Sequence, residues 1–500
     1  MKLLFDPIYS GKPRRCSSAS KYKKLTGRLL AARPDVFIYW RVPTWMDEED
    51  RAWLPSDPRV KYIEVPCNRY DRVREYQHIT PDLEDQISFN GSLWDADVVV
   101  TMRTQQVAAM RTIMGSPRQH RFTWMKGIFL LEEMLIAGFR KTVPVCHQRS
   151  QEGLSLLGHG VADGSYITAN HVRAGLIDLA RQEWSPSRVR ELMAKVKLVS
   201  PLLFTDFEAK APEFRYVRGQ GPFRPFHVGR INAFSSRCEE TFSALDKSWI
   251  MRGAGMAPEA SSQSEGSKVE VPESVTLGLN EREEFHRKIK QEAHVCVNNA
   301  LDAEFSMTVL EPLCFGTPVI LPDAEWSRAL LGNEYPFFIG GSEAKIYSAI
   351  AAFEADYDKL YAQFLEWRDT AFVERMRPGG LFGHDMYATL EADLFGFCDD
   401  MRTQVHKQWG KTGLENEVVL AILKACEGKE EMQFFDVIRE IAVKGEFTTL
   451  RVNLPEAAPR AKLSLSFMTA WPIYRLQLQV LHGWEDASAE PGHMKRSKPA

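Results

Sequence analysis

Residues 301–321 read LDAEFSMTVLEPLCFGTPVIL, an acidic opening followed by a short apolar stretch that carries one carboxylate, Glu311. The strand-like Val295-Cys296-Val297 precedes the stretch, and Val319-Ile320-Leu321 follows it. A turn over 303–307 between a strand and a helix presents backbone N–H groups at a helix N-terminus, which suits a diphosphate or the hydroxyls of a sugar. Ser306 and Thr308 are good residues for starting such a helix. Glu311 falls one turn in, where a carboxylate can accept two hydrogen bonds from a ribose diol. Each is worth about 1.5–3 kcal/mol when one partner is charged. Gly316-Thr317-Pro318 ends the helix and starts the next strand. The plain alternative is a capped structural helix whose Glu311 points to solvent.

Elements that would position these residues alternate along the chain. Strands are expected at Leu3–Phe5, Val36–Trp40, Val60–Val65, Asp97–Val100, Thr142–Cys146 and Ser165–Ile167, with helices over Ser17–Ala32 and Lys126–Ala137. Near Pro222 the pattern restarts with strands at Phe226–Val228, Trp249–Met251, Val275–Leu277 and Val295–Val297, and helices over Glu239–Lys247 and Glu281–Lys290. Short apolar strands separated by helices predict parallel sheets covered on both faces. The expected class is therefore α/β, with two Rossmann-like doubly wound domains and a cleft between them where ligands bind beyond the carboxyl ends of the strands. Residues 1–205 form the first domain and 206–404 the second, with 256–274, rich in Ser, Pro and Glu, as a mobile surface loop.

Bulk properties narrow the function. A chain of 500 residues exceeds one compact core. A net charge of −3 with 26% charged residues argues against a wholly electrostatic nucleic-acid binder and leaves room for a local basic surface. The 8 cysteines are scattered without C-x-x-C pairs, which gives no zinc pattern and suits a reducing cytoplasm. The apolar run after Met1 is too short for a signal peptide, and Glu132-Glu133 interrupt the greasiest segment, so no membrane span is expected.

The 301–321 segment resembles the donor-site signature of GT-B glycosyltransferases, specifically the retaining family 4-like sugar transferases. Phe305, Ser306, Glu311, Gly316, Pro318 and Val319 fall in register with that signature. Its first glutamate, eight positions before Glu311, is here Ala303, flanked by Asp302 and Glu304. "FHVGRIN" resembles the family's strand and Gly-Arg element, Gly229-Arg230.

The resemblance implies a donor site of Gly229, Arg230, Arg237, Glu304, Phe305, Ser306, Met307, Thr308 and Glu311. Arg230 and Arg237 would hold the diphosphate, and His147 would lie near the sugar and acceptor, so His147 and Arg230 are the catalytic candidates. The loop after the first strand, with Lys12, Arg14 and Arg15, would face the acceptor. Its bland alternative is a solvated charged loop. Trp40, Trp45 and Trp53 are read as core packing. The co-substrate would be a nucleotide diphosphate sugar, with no cofactor and no metal.

Residues 405–500 lie outside this pattern. "NEVVLAILKAC" and "EEMQFFDVIREIAV" read as amphipathic helices, and the "GWED…GHMKR" end as a hairpin, an arrangement that resembles a winged-helix module. On that reading the helix Ile473–Val480, with Arg475, enters a groove of duplex DNA and the basic tail follows phosphates. A protein-interaction or dimerisation appendage is the alternative. The expected function is a cytoplasmic hexosyl- or pentosyltransferase acting with retention on a hydroxymethylated pyrimidine base in viral DNA, in the host cytoplasm. The alternatives are an enzyme extending a cell-surface glycan or lipid, and a non-catalytic nucleotide-sugar or DNA-binding protein.

Overall fold

The computed structural model describes residues 1–7, 17–65, 95–102, 127–132, 155–200, 214–228, 238–244, 251–254, 275–278, 282–300, 307–339, 342–377, 384–409, 417–443 and 465–497, with a few single residues between them. The first sheet has seven parallel strands: β1 Lys2–Asp6, β2 Phe37–Pro43, β3 Val60–Val65, β4 Val98–Thr101, β5 Gly127–Glu132, β6 Gly164–Ile167 and β7 Val196–Leu198. Their order is β3-β2-β1-β4-β5-β6-β7. Every residue of β1, β2 and β4 is buried, as expected of parallel strands covered on both faces.

Some elements differ from expectation: Glu431–Gln433, read as the start of a helix, is a strand, and the strand read at Trp249–Met251 is observed at Met251–Ala254. Gly127–Glu132, read as the start of a helix, is the strand β5, paired with β4 and β6. A short continuous apolar run such as GIFLL carries no periodicity that separates a buried strand from a buried helix, and here the sheet decides. The strand expected at Thr142–Cys146 and the loop 256–274 lie outside the described residues.

The second sheet comprises β8 Pro225–Val228, β9 Met251–Ala254, β10 Val275–Gly278, β11 Val295–Val297, β12 Val319–Pro322 and β13 Phe338–Ile339. It is parallel as well, in the order β10-β9-β8-β11-β12-β13. Both sheets thus place their first strand beside their fourth. Helix α1 (Ser17–Ala32) packs on the first sheet through Tyr22, Leu25 and Leu29, spaced as one helical stripe. On the second, α2 (Arg282–Glu292) precedes β11 and α3 (Met307–Cys314) follows it.

The two units are joined by two crossings that run side by side. Ser200 N donates to His384 O at 2.8 Å, and Met386 N donates to Ser200 O at 3.0 Å. From there α5 (Met386–Trp409) returns to the first unit, as α4 (Glu325–Leu331) stays with the second. Met386, Leu390, Leu394, Cys398, Met401 and Val405 recur every three or four residues and pack with Phe5, Trp40 and Phe129 of the first sheet. Residues 386–404, assigned by sequence to the second domain, therefore belong structurally with the first. Trp40 is wholly buried in that core, and Trp45 and Trp53 pack against it, as the sequence reading held.

After α5 the chain forms α6 (Glu417–Ala425), β14 (Glu431–Gln433), α7 (Phe434–Val443), α8 (Leu465–His482), β15 (Trp484–Asp486) and β16 (His493–Arg496). The strands make an antiparallel sheet in the order β14-β16-β15. Helix, strand, helix, helix and two strands is the element order of a winged helix. The role expected of Arg475 is nevertheless overturned. Its side chain is fully buried, 3.4 Å from Asp95 Oδ1, 3.8 Å from Asp486 Oδ1 and in contact with Asp97. A guanidinium is buried only when paired, and three internal carboxylates take the place a DNA phosphate would have. The loop between β15 and β16 also turns inward, since Lys2 Nζ donates to Glu490 O at 2.9 Å and Lys61 pairs with the Glu490 carboxylate. These contacts sit at the amino ends of β1, β3 and β4, the edge opposite the carboxyl ends where ligands bind in such sheets.

Candidate donor site in the second unit

In the second sheet the chain moves one way from β8 to β10 and the other way from β11 to β13. The loops leaving β8 and β11 therefore diverge, and the crevice between them is where a doubly wound sheet takes its ligand. Gly229 and Arg230 directly follow β8, and Glu304, Phe305 and Ser306 directly precede α3. Gly229, Arg230, Arg237, Glu304, Phe305 and Ser306 lie outside the described residues. So do His147 and the loop residues Lys12, Arg14 and Arg15.

The described floor of the crevice is held by side-chain bonds. Asn298, buried just past β11, donates from Nδ2 to Val228 O at 2.8 Å, and its Oδ1 accepts from Ala300 N at 3.1 Å. One amide thereby ties the ends of β8 and β11 where they part. Trp326 of α4 adds a bond from Nε1 to Ala300 O at 3.2 Å. Sequence reading missed Asn298. Its signal was a polar pair, Asn298-Asn299, placed directly after an apolar strand.

Helix α3 begins at Met307, with Met307 and Thr308 half-buried in its first turn. Its other end is locked. Gly316 takes φ 76°, a left-handed conformation suited to glycine, while Thr317 N donates to Pro312 O at 2.8 Å and Gly316 N to Leu313 O at 3.2 Å. Arg368 Nη2 donates to Cys314 O at 2.8 Å, and Tyr361 OH donates to Gly316 O at 3.0 Å. With its last carbonyls satisfied in this way, the helix cannot shift along its axis without breaking several bonds.

Glu311 does not point to solvent. It is only 4% exposed, and its Oε1 lies 3.1 Å from His286 Nε2 on α2. A carboxylate buried in an apolar helix is costly unless it has partners. Its burial and its contact with His286 exclude a solvated surface residue.

The first sheet has an analogous divergence between β1 and β4. Three polar residues lie there in one row across β2, β1 and β4. Arg41 Nη1 donates to Asp6 Oδ1 at 2.8 Å, and Thr101 Oγ1 donates to Asp6 Oδ2 at 2.9 Å. All three side chains are buried, and they tie β1 to β2 and β4 at its carboxyl end. Among the described residues no group of His, Cys, Asp or Glu could hold a metal ion, and no helix is long and apolar enough to cross a membrane.

No protein-family model matches this sequence, and no curated protein matches it. Solved structures do. Anabaena HepE, crystallised with UDP and glucose, is similar at 12% identity and TM-score 0.52, over 80% of this chain and 100% of that one. Sucrose-phosphate synthase from Thermosynechococcus elongatus is similar at 14% identity and TM-score 0.55, over 79% of this chain and 99% of that one. At such identities the likeness shows the fold. The chain has the GT-B fold, in which two Rossmann-like units face each other across a cleft.

Proposed function

We propose that this chain is a GT-B glycosyltransferase that moves a sugar from a nucleotide diphosphate sugar to an acceptor, with retention at the anomeric carbon. The observation that carries the reading is the crevice between β8 and β11, beside which α3 follows β11 and carries the buried Glu311. In that crevice Glu311 holds the ribose. Arg230, with Arg237 and the backbone N–H groups at the start of α3, stabilises the charge that develops on the departing diphosphate. His147 serves the sugar and acceptor side. The paired crossings at Ser200 and Asp385 act as the hinge on which the units close, excluding water and aligning donor with acceptor.

For the acceptor, we place a cell-surface glycan or lipid first. Of the groups assigned to DNA, Arg475 is buried, while at the surface Lys495 pairs with Glu485 at 3.4 Å and Arg496 lies over the Trp484 ring at 5.2 Å. A hydroxymethylated pyrimidine in viral DNA is the second reading, favoured by the winged-helix element order of residues 417–496. The function is tested by incubating the full chain with UDP-, GDP-, ADP- and dTDP-sugars and assaying release of the nucleoside diphosphate. Binding without turnover for every donor and acceptor offered would favour a non-catalytic protein, consistent with Ala303 in place of the first motif glutamate. No binding at all would overturn the proposal.

A further inference from the structure

We propose that Asn298 and Trp326 are positioning residues for the donor crevice, acting together on the backbone of Ala300; the inference rests on the reading of the crevice between β8 and β11 as the donor site. Ala300 lies past the end of β11, where the chain leaves for α3. The strand ladder no longer serves its N–H and C=O, and backbone groups that are partly buried need partners. Side chains supply both. Ala300 N donates to Asn298 Oδ1 at 3.1 Å, and Ala300 O accepts from Trp326 Nε1 at 3.2 Å.

Each of the two holders is itself fixed. Asn298 is buried, its N donates to Ile320 O at 3.0 Å and its Nδ2 to Val228 O at 2.8 Å, so one residue ties β8 and β12 to the exit from β11. Only one orientation of the amide makes both side-chain bonds, because the flipped group would set oxygen against oxygen. Trp326 is buried on α4, next to Ser327. Ser327 Oγ accepts from Ala324 N at 3.1 Å and donates to Pro322 O at 2.6 Å, which anchors the first turn of α4 to β12. Helix α4 also lies against the helix Asn170–Glu183 of the first unit, and Trp326, Leu330 and Leu331 share one core with Val172, Leu176 and Leu179 of that helix. The indole therefore cannot leave Ala300 without opening a core common to both units.

A chain pinned at this point from two elements leaves β11 along one course. A ligand site works only when it is held to roughly 0.5 Å, so the pinning bears on the site downstream. The chain from Ala300 leads to the start of α3, the part of the crevice assigned to the diphosphate. Loosening Ala300 should accordingly be felt by the diphosphate and not by the nucleoside.

Calorimetric titration of the full chain with UDP, GDP, ADP and dTDP identifies the tightest binder, which is then compared with its monophosphate. The wild type should bind the diphosphate more tightly. Trp326→Phe keeps an aromatic ring in the core and removes the N–H. It should lose about fivefold for the diphosphate, the size of one neutral hydrogen bond, and bind the monophosphate as the wild type does. Asn298→Ala should show the same selective loss. Because both side chains hold one residue, the double variant should lose less than the product of the two single losses. Wild-type diphosphate affinity in both single variants, an equal loss for diphosphate and monophosphate, or losses that multiply in the double variant would overturn the joint positioning role. A wild type that binds the two nucleotides equally would overturn it as well. Failure of the wild type to bind any of the four would instead overturn the proposed function, and this inference with it.

Discussion

Arg475 Nη1 and Asp95 Oδ1 lie 3.4 Å apart, and neither side chain exposes any surface. They connect α8 to the segment that leads into β4, across 380 positions of sequence. Around them Lys2 Nζ lies 2.7 Å from Asp95 Oδ2 and 3.7 Å from Asp486 Oδ1, and Tyr39 OH donates to Asp95. Residues 417–497 are therefore fastened to the first unit by a buried charge cluster. Leu476, packed with the core of the first sheet, adds an apolar contact.

Breaking that cluster from one side should be costly. Arg475→Met leaves Asp95, Asp97 and Asp486 buried with too little positive charge, and removal of one partner of a buried pair costs roughly 3–5 kcal/mol. The expected outcome is a lower urea midpoint for the first unit, followed by far-UV circular dichroism. A loss below about 1 kcal/mol, typical of an exposed pair, would mean that water reaches the cluster.

The same cluster sets a pH dependence. Burial pushes the Asp95 and Asp486 carboxyls up, but Arg475 and Lys2 outweigh it and hold both below the ordinary carboxylate range. The unfolded chain therefore binds these protons at higher pH than the folded one. Their contribution is present above the ordinary carboxylate value, about 3.9, and is lost as the pH falls through the depressed folded values. Thermal unfolding between pH 7 and pH 3 should show stability falling below about pH 4 in the wild type. Asp486→Asn should be less stable at neutral pH and should vary less with acid. Parallel curves for the two proteins would show that Asp486 contributes nothing to the dependence.

On the donor side, Glu311→Ala should weaken nucleotide-sugar binding by about 2 kcal/mol or more. The side chain is buried beside His286, so Glu311→Gln, which keeps its shape, separates lost charge from lost packing. Unchanged affinity in both variants would place Glu311 outside the donor site.

Arg230→Ala should depress turnover more than donor binding, because charge on the leaving diphosphate develops fully only in the transition state. Steady-state kinetics with the preferred donor distinguish the cases. Equal losses in kcat and in affinity would assign Arg230 to ground-state binding alone.

Much of this architecture was legible in the sequence because parallel strands advertise themselves as short apolar runs. Val295–Val297 and Ser17–Ala32 coincide with the observed elements. The helix Met307–Cys314 was legible for a different reason: an apolar run closed by Gly-Thr-Pro marks a short helix that leads straight into a strand. GIFLL was misread because burial on both faces erases periodicity. Partners far apart in sequence left no trace. Nothing near Arg475 announces Asp95 and Asp97, and nothing near Glu311 announces His286. A basic residue on an amphipathic helix reads as a surface group until the three carboxylates facing it are known.

The last prediction concerns residues 405–500 and the acceptor. Were this segment a free DNA-reading module, its removal would leave the donor site untouched and abolish salt-sensitive binding to duplex DNA. The buried cluster makes a different outcome expected. A chain ending near residue 405 loses Arg475 and Asp486, leaving Lys2, Asp95 and Asp97 open to solvent, and strips Val480 and Leu476 from the first core. That chain should unfold at a lower temperature than the full one and lose transfer to any acceptor, saccharide or DNA, because the first unit itself is destabilised. The cleaner test of DNA therefore uses the full chain, with and without Lys495→Ala and Arg496→Ala, in electrophoretic shifts at low and moderate salt. With Lys495 paired to Glu485 and Arg496 stacked on Trp484, no salt-sensitive shift is expected from either protein. A shift in the full chain that weakens steeply with salt, and weakens further in the double variant, would restore the DNA-base acceptor to first place.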